Sequence, residues 1–242
     1  MRARARLAVE LDGRGHSVVR QLRSAAPLTL MPASGPDRAP ARVHLVNSAA
    51  APLGGDDLEL TVLVGPGARL VLSGVAATLA LPGQCGEPSR LAVRLEVAER
   101  ATLSYLPEPT VITRRAWHQT ELRAELAGDA ALRCREVLVL GRSGERPGRL
   151  TSAIHVRRGG QPVLRQRLDI GDPELDGALA HLAGHRVLAT ELLIDDRPVP
   201  PPASGDWWAR TPLATCGWTA TALGGDAVTA LRRLERGMIV TG

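Results

Sequence analysis

Three segments of the chain share one pattern of strand, short turn and strand, spaced about thirty residues apart. They are LTVLVGPGARLVL at 60–72, LAVRLEVAERATLSYL at 91–106 and TELRAELAGDAALRCREVLVL at 120–140. Apolar and polar residues alternate on both sides of each turn, which is typical of half-buried β-strands. A chain with this pattern can fold into stacked coils or into a row of hairpins.

Equivalent positions within the three segments favour stacked coils. A spacing in this range, kept over three units, is a sequence signature of repeat folds. Each turn is preceded by an apolar residue and followed by a small one, which would let neighbouring coils approach closely. The apolar residues are Val64, Val97 and Leu126, and the small ones are Ala68, Ala101 and Ala130. An antiparallel sandwich is the alternative.

Two weaker segments, 6–22 and 152–170, extend the pattern to as many as five units. We therefore predict an all-β fold, a β-helix-like stack of units of about thirty residues. Two short helices are predicted near the C-terminus, at 174–182 and 225–237. Asp226 can cap the second helix and Gly237 can end it.

Proline-rich stretches indicate where the stack is interrupted. The segments 31–42 and 195–212 are predicted to be loops. The second one suggests a division into a β-helix-like body at 1–195, a proline-rich loop at 196–210 and a C-terminal strand-helix segment at 211–242. We expect all three parts to belong to one domain.

Composition argues against several classes of protein. The net charge is +5 and every basic residue is arginine, but these arginines are interleaved with acidic residues, and there is no Phe and a single Tyr. A nucleic-acid-binding surface with aromatic platforms is therefore not expected. No apolar run approaches the length of a membrane span, and no signal peptide is recognisable. Three distant cysteines predict no disulfide framework, which fits the cytoplasm.

Sequence motifs of common enzymes are scarce. His181 and His185 have a spacing that puts two imidazoles on one helix face, which is the basis of a metal-dependent hydrolase hypothesis. The intervening Leu-Ala-Gly lacks the general-base glutamate of a zincin, and Gly184 weakens a helix there.

Cys134 alternates with arginines and is expected to face the core. Trp207 and Trp208 could form either a lid or an interface anchor.

The Gly-Gly-Asp-Asp motif at 54–57 is the most distinctive local motif. Gly54 and Gly55 permit a turn or a close approach of two backbones. Asp56 and Asp57 would then lie at the mouth of the first clear repeat. The simpler interpretation is a turn whose aspartate accepts hydrogen bonds from free N–H groups.

Glu136 lies on a strand that is otherwise apolar at alternate positions. A buried carboxylate is costly unless it is paired, hydrogen-bonded or bound to a metal. Arg133 or Arg135 could supply an ordinary ion pair. If Glu136 points inward, it therefore needs such a partner.

Taken in order, five stretches of the chain resemble the urease accessory protein UreD family, also called UreH. The resemblance covers residues 5–236 and depends on the combination of Gly-Gly-Asp, Val-Gly-Pro-Gly-Ala and Leu-Pro-x-x-Thr. The stretches are 43–72, 101–112, 134–142, 163–170 and 224–237.

This resemblance implies a β-helix-like stack with two helices and a role other than catalysis. UreD proteins bind UreF, which holds the GTPase UreG, and the assembly docks on apo-urease. A polar tunnel through UreD is the implied route for nickel(II), which would be in transit rather than a tightly bound cofactor. A free-standing β-solenoid binding module without a metal role is the alternative.

The resemblance also suggests which residues line the tunnel. Asp56 matches the aspartate of the family's Gly-Gly-Asp motif, and Glu136 matches an acidic residue on a strand, so both are tunnel candidates. Gln166 stands where many members have glutamate, so the acidic lining would be thinner here. Leu79 replaces a lysine of many members, which puts the contact made by that lysine in doubt.

Overall fold

The computed structural model describes residues 1–35, 39–84 and 86–239. Most of this part of the chain forms strands. The elements in chain order are β1 (Arg2–Leu11), β2 (Ser17–Arg23), β3 (Leu28–Ala33), β4 (Ala41–Asn47), β5 (Asp57–Val64), β6 (Arg69–Gly74), β7 (Thr78–Ala80), β8 (Ser89–Val97), β9 (Thr102–Leu106), β10 (Thr110–Ile112), β11 (Trp117–Leu126), β12 (Ala131–Leu140), β13 (Arg149–Arg158), β14 (Gln161–Ile170), α1 (Pro173–Gly177), β15 (Val187–Ile194), β16 (Ala203–Gly205), β17 (Trp208–Pro212), β18 (Trp218–Gly224) and α2 (Ala227–Met238).

Two sheets face each other across the core. The first has seven strands in the order β14-β13-β11-β8-β5-β1-β2. The second has eleven strands, of which nine follow the order β16-β17-β18-β15-β12-β9-β6-β4-β3, while β7 and β10 join beside β12. An apolar cluster that includes Leu60, Leu70 and Leu103 fills much of the space between them.

The three repeated segments are coils of a solenoid-like stack, as predicted. Each coil places its first strand in the first sheet and its second strand in the second sheet, and equivalent strands pair in parallel. Val64 pairs with Val97, and Val97 pairs with Leu126. Leu70 and Leu103 are paired in the same way in the second sheet. The opening segment at 60–72 is therefore a coil corner and not a hairpin.

Alanines at the corners permit this stacking. Ala68, Ala101 and Ala130 are buried, with at most 1% of their surface exposed. The N–H of Thr102 donates to the carbonyl of Ala68, and the N–H of Ala131 donates to the carbonyl of Ala101. A larger side chain at these positions would separate the backbones that make these hydrogen bonds.

The two weaker segments are hairpins rather than coils. β1 and β13 join the parallel stack, but β2 and β14 turn back and pair with them antiparallel at the two edges of the first sheet. The turns are tight: Asp12 Oδ1 accepts from the N–H groups of Arg14 and His16, and Gly159 and Gly160 have positive φ. Such a turn reverses the chain instead of carrying it to the facing sheet.

α1 follows β14 and α2 follows β18. α2 has about its predicted length, whereas α1 is shorter than predicted. α2 agrees with the predicted 225–237, and Asp226 Oδ1 accepts from the N–H of Thr229 as its N-cap. It covers the outer face of the second sheet, where Leu234 is buried. α1 has five residues and ends at Gly177. The prediction of a helix at 174–182 is too long because Ala178 has an extended backbone conformation that ends the helix, and turns follow it.

The predicted loops are shorter than expected. β3 and β4 extend into 31–42, of which residues 36–38 lie outside the described residues. The hairpin β16–β17 occupies part of the predicted loop at 196–210 and continues the second sheet through β18. The division at 195 and 210 stays a prediction. Within the described part of the chain, no helix is long and apolar enough to cross a membrane.

Candidate functional site

A cavity of about 100 Å³ lies between the two sheets and extends across several coils. Its walls include β4, β6, β9 and β12 on one side and β5, β8, β11 and β13 on the other. Most of the lining is apolar, but several polar side chains interrupt it. These are Asn47, Thr78, Tyr105, Glu108, Thr110, His118, Thr120, Arg135 and Glu136.

Glu136 lines this cavity and also a second one of about 10 Å³. The second cavity is bounded by Ser152, Gln166 and Thr190 as well, and its volume suits at most one water molecule. Gln166 lies on the edge strand β14 and is exposed. The carboxyl of Glu136 therefore stands between an internal cavity and a side chain that reaches solvent.

The alternation of β12 turns Glu136 inward. Leu132, Cys134 and Leu138 occupy the same face of the strand and are buried. Glu136 Oε1 accepts a hydrogen bond of 2.8 Å from Ser152 Oγ. Burial raises the pKa of Glu136, and the hydrogen bond from Ser152 opposes this shift.

The ion pair that Arg133 or Arg135 could supply to Glu136 is not found in the structure. Arg133 Nε instead donates to Glu191 Oε1 at 2.5 Å, because Arg133 points to the opposite face of β12. Arg135 is next to Glu136 in sequence, but its Nε is buried without a partner. Within the described ranges no ion pair to Glu136 is found, although the residue is half-buried. Perturbed carboxyls in cavities are candidates for functional groups.

The pH dependence of stability tests the environment of Glu136. The folded-state pKa of Glu136 lies above its unfolded-state value of about 4.3. The protonated carboxyl therefore contributes its full stabilisation below about pH 4.3, and this contribution is lost as pH rises through the folded-state pKa. The free energy of unfolding of Glu136→Gln minus that of the wild type should therefore increase between pH 4 and pH 8. Urea denaturation measures it, with Glu96→Gln on β8 as the control for loss of an exposed negative charge. A difference in the free energy of unfolding that does not change with pH would contradict a raised folded-state pKa for Glu136.

His118 is a cavity residue that the sequence reasoning missed. It lies on β11, has 2% of its surface exposed, and its Nδ1 is 2.9 Å from Ser89 Oγ. Burial lowers the pKa of His118 to about 4, so the imidazole is neutral at pH 7. The signal was available, because His118 alternates with Thr120 and Leu122 on a strand whose inward face the repeat defines.

A row of polar side chains connects His118 with Glu136. Thr120 follows two residues after His118 on β11 and pairs in register with Ser152 on β13. Ser152 donates to Glu136, which in turn pairs with Thr190 on β15. Adjacent strands are about 4.8 Å apart and residues two apart on one strand are about 6.7 Å apart, so a hydrated ion could pass from one member of this row to the next.

The Gly-Gly-Asp motif lies apart from this row. Asp56 is buried, its Oδ1 is 2.6 Å from the amino group of Met1, and its Oδ2 accepts from the N–H of Leu53 at 2.8 Å. It is not among the residues lining either cavity. The structure thus brings Glu136 and Gln166 together, whereas Asp56 caps a turn.

The two glycines of this motif have backbone roles. A Cβ added to Gly54 would lie 2.6 Å from the backbone nitrogen of Gly83 and 2.7 Å from the carbonyl oxygen of Glu87. Gly55 has a φ of +88°, which side-chain-bearing residues rarely adopt. Close approach at Gly54 and a left-handed conformation at Gly55 are the roles that the sequence suggested.

His181 and His185 do not form a helical metal pair. α1 ends before them, His181 Nδ1 is 3.5 Å from Asp176 Oδ1, and the ring of His185 lies 4.3 Å from that of Trp207. In residues 1–35, 39–84 and 86–239, no group of three or more His, Cys, Asp or Glu side chains could hold a metal ion.

Cys134, the tryptophan pair at 207–208 and Leu79 lie outside the row of polar residues around Glu136. Cys134 is buried in the core, as expected, while Cys85 lies outside the described residues. Trp207 is 42% exposed, whereas Trp208 is partly buried against α2, close to Gly237. Leu79 is exposed.

Comparison with known proteins gives consistent matches over the whole chain. The family model described as UreD urease accessory protein matches residues 1–239. Urease accessory protein UreD 1 of Saccharopolyspora erythraea is 54% identical, over 98% of this chain and 94% of its own. Urease accessory protein UreD of Parafrankia sp. is 41% identical, over 97% and 87%. Urease accessory protein UreD of Streptomyces coelicolor is 39% identical, over 100% of this chain and 96% of its own.

Proposed function

This chain belongs to the urease accessory protein UreD family, and on that premise we propose that it guides nickel(II) into apo-urease without catalysing a reaction. In this proposal it acts in the cytoplasm and binds UreF, through which it is joined to UreG. Nickel is the cargo and is not retained as a cofactor.

The observation that carries this proposal is Glu136 between two adjoining cavities. A single carboxylate, flanked by hydroxyl and amide oxygens, can replace some water ligands of a divalent cation without enclosing the ion. Nickel(II) accepts carboxylate, imidazole and water ligands, so such a lining suits transit. Glu108 and Gln166 are exposed and line the first and second cavity respectively, and in this proposal they mark the two ends of the route.

Urease activation in a heterologous host tests the proposed function. Urease subunits are expressed with UreF, UreG and the other accessory proteins, with or without this chain, and urease activity and bound nickel are measured. We expect both to require the chain, and the chain to co-purify with UreF. Full activation in its absence would contradict the proposal, and failure to co-purify would favour a free-standing binding module.

The hydrolase hypothesis is tested in the same host. The double variant His181→Ala, His185→Ala should activate urease as the wild type does, because these side chains contact Asp176 and Trp207 and lie outside both cavities. Loss of activation by a folded double variant would place function at this pair instead.

A further inference from the structure

The hydrogen bonds around His118 are compatible with a proton on Nδ1. Ser89 Oγ lies 2.9 Å from His118 Nδ1 and 3.4 Å from the carbonyl oxygen of Trp117. A carbonyl oxygen only accepts, so the Ser89 hydroxyl donates to it. The Ser89 oxygen is then free to accept from an N–H at Nδ1. In this arrangement Nε2 is unprotonated and carries a lone pair.

His118 Nε2 has no hydrogen-bond partner among the residues that the structure describes. The side chain is almost completely buried and lines the larger cavity. An unprotonated Nε2 on the wall of this cavity is available to a ligand that enters it.

We propose that His118 Nε2 is a transient nickel(II) ligand on the route to Glu136, an inference that depends on the proposed function. Histidines that bind metals commonly donate their other ring N–H to a fixed acceptor, which sets the tautomer and the ring orientation. Ser89 is the acceptor here. The structure therefore assigns His118 as a ligand and Ser89 as its positioning residue.

A single imidazole is suited to transient coordination of nickel(II) and not to its storage. Since no described cluster of His, Cys, Asp or Glu can enclose a metal at this point, the ion would keep most of its water ligands and exchange quickly. Thr120 and Ser152 lie next along the row, and strand geometry places Ser152 about 8 Å from His118 between Cα atoms. The imidazole would also favour nickel(II) over Mg²⁺ and Ca²⁺, which prefer oxygen ligands.

NMR of the histidine rings in the purified full chain tests this assignment. In ¹⁵N-labelled protein, the ring signals of His118 should show the tautomer protonated at Nδ1. Nickel chloride added below one equivalent should broaden them by paramagnetic relaxation, whereas magnesium chloride should not. A ring protonated at Nε2, or His118 signals unaffected by nickel at one equivalent, would overturn the proposal.

Two variants separate ligation from packing. Ser89→Ala should raise the nickel concentration needed to broaden the His118 signals by about tenfold, while His155→Gln, on the outward face of β13, should leave it unchanged. His118→Gln should reduce urease activation. Equal nickel sensitivity of wild type and Ser89→Ala, or normal activation by folded His118→Gln, would overturn the assignment.

The two proposals fail in different ways. If urease is activated without this chain, the proposed function is wrong and the role of His118 in delivery is wrong with it, although nickel contact seen by NMR would remain as a binding property. If the chain is required but nickel does not reach His118, the further inference alone is wrong.

Discussion

Replacing Glu136 with leucine is expected to lower nickel-dependent urease activation more than tenfold without a matching loss of folded protein. Glu136 lines both cavities, and leucine would put hydrocarbon where the proposed route passes from one to the other. At an effective dielectric constant of about 20, a divalent ion about 5 Å from a carboxylate gains about 6–7 kcal/mol before desolvation. A tenfold loss requires only about 1.4 kcal/mol.

Activation is measured as urease activity and nickel content after co-expression, with the amount of folded variant determined by circular dichroism and size-exclusion chromatography. Glu136→Gln keeps the shape and one ligating oxygen, so it should give an intermediate loss. Glu96→Leu, at an exposed position of β8, is the control for replacing a strand glutamate with leucine. Wild-type activation by folded Glu136→Leu would exclude Glu136 from the nickel route.

Gly54→Ala is expected to destabilise the fold by about 3 kcal/mol, at the upper end of the cost of overpacking. The new methyl group would lie within 2.7 Å of backbone atoms of both Gly83 and Glu87, and backbone cannot rotate away as a flexible side chain can. For a protein of this size the loss corresponds to a fall in Tm of about 6–12 °C.

Thermal unfolding followed by circular dichroism measures this effect. Gly13→Ala is the matched control, because a Cβ at Gly13 would meet nothing within 4 Å and should change Tm little. A Tm for Gly54→Ala equal to that of the wild type would show that the two backbones are not in contact at this point.

The stack could be predicted because its signals are local and repeated. Alternation marks the strands, and Ala68, Ala101 and Ala130 mark the corners where the chain moves from one sheet to the other. The same local pattern cannot distinguish a corner from a hairpin. Whether a second strand crosses to the facing sheet or folds back depends on long-range partners, which explains why the sequence pattern groups the segments at 6–22 and 152–170 with the coils.

The candidate site was only partly visible in the sequence. Glu136 stood out as an acid on an inward strand face, and the resemblance to UreD proteins added Gln166. Ser152 acquires its role through cross-strand register and a hydrogen bond, which no single segment reveals. Asp56 matched a family motif, yet its carboxylate accepts from the N–H of Leu53 and contacts the amino group of Met1, away from the cavities.

Anomalous diffraction at the nickel K edge, from crystals of this protein soaked in nickel chloride, would test most directly whether the cavity admits the ion. Peaks inside the cavity, within coordination distance of His118 Nε2 or the Glu136 carboxyl, are expected in the wild type, and the Glu136 peak should be absent from Glu136→Leu. Peaks confined to surface histidines such as His16, with an empty interior at saturating nickel, would contradict passage through the stack.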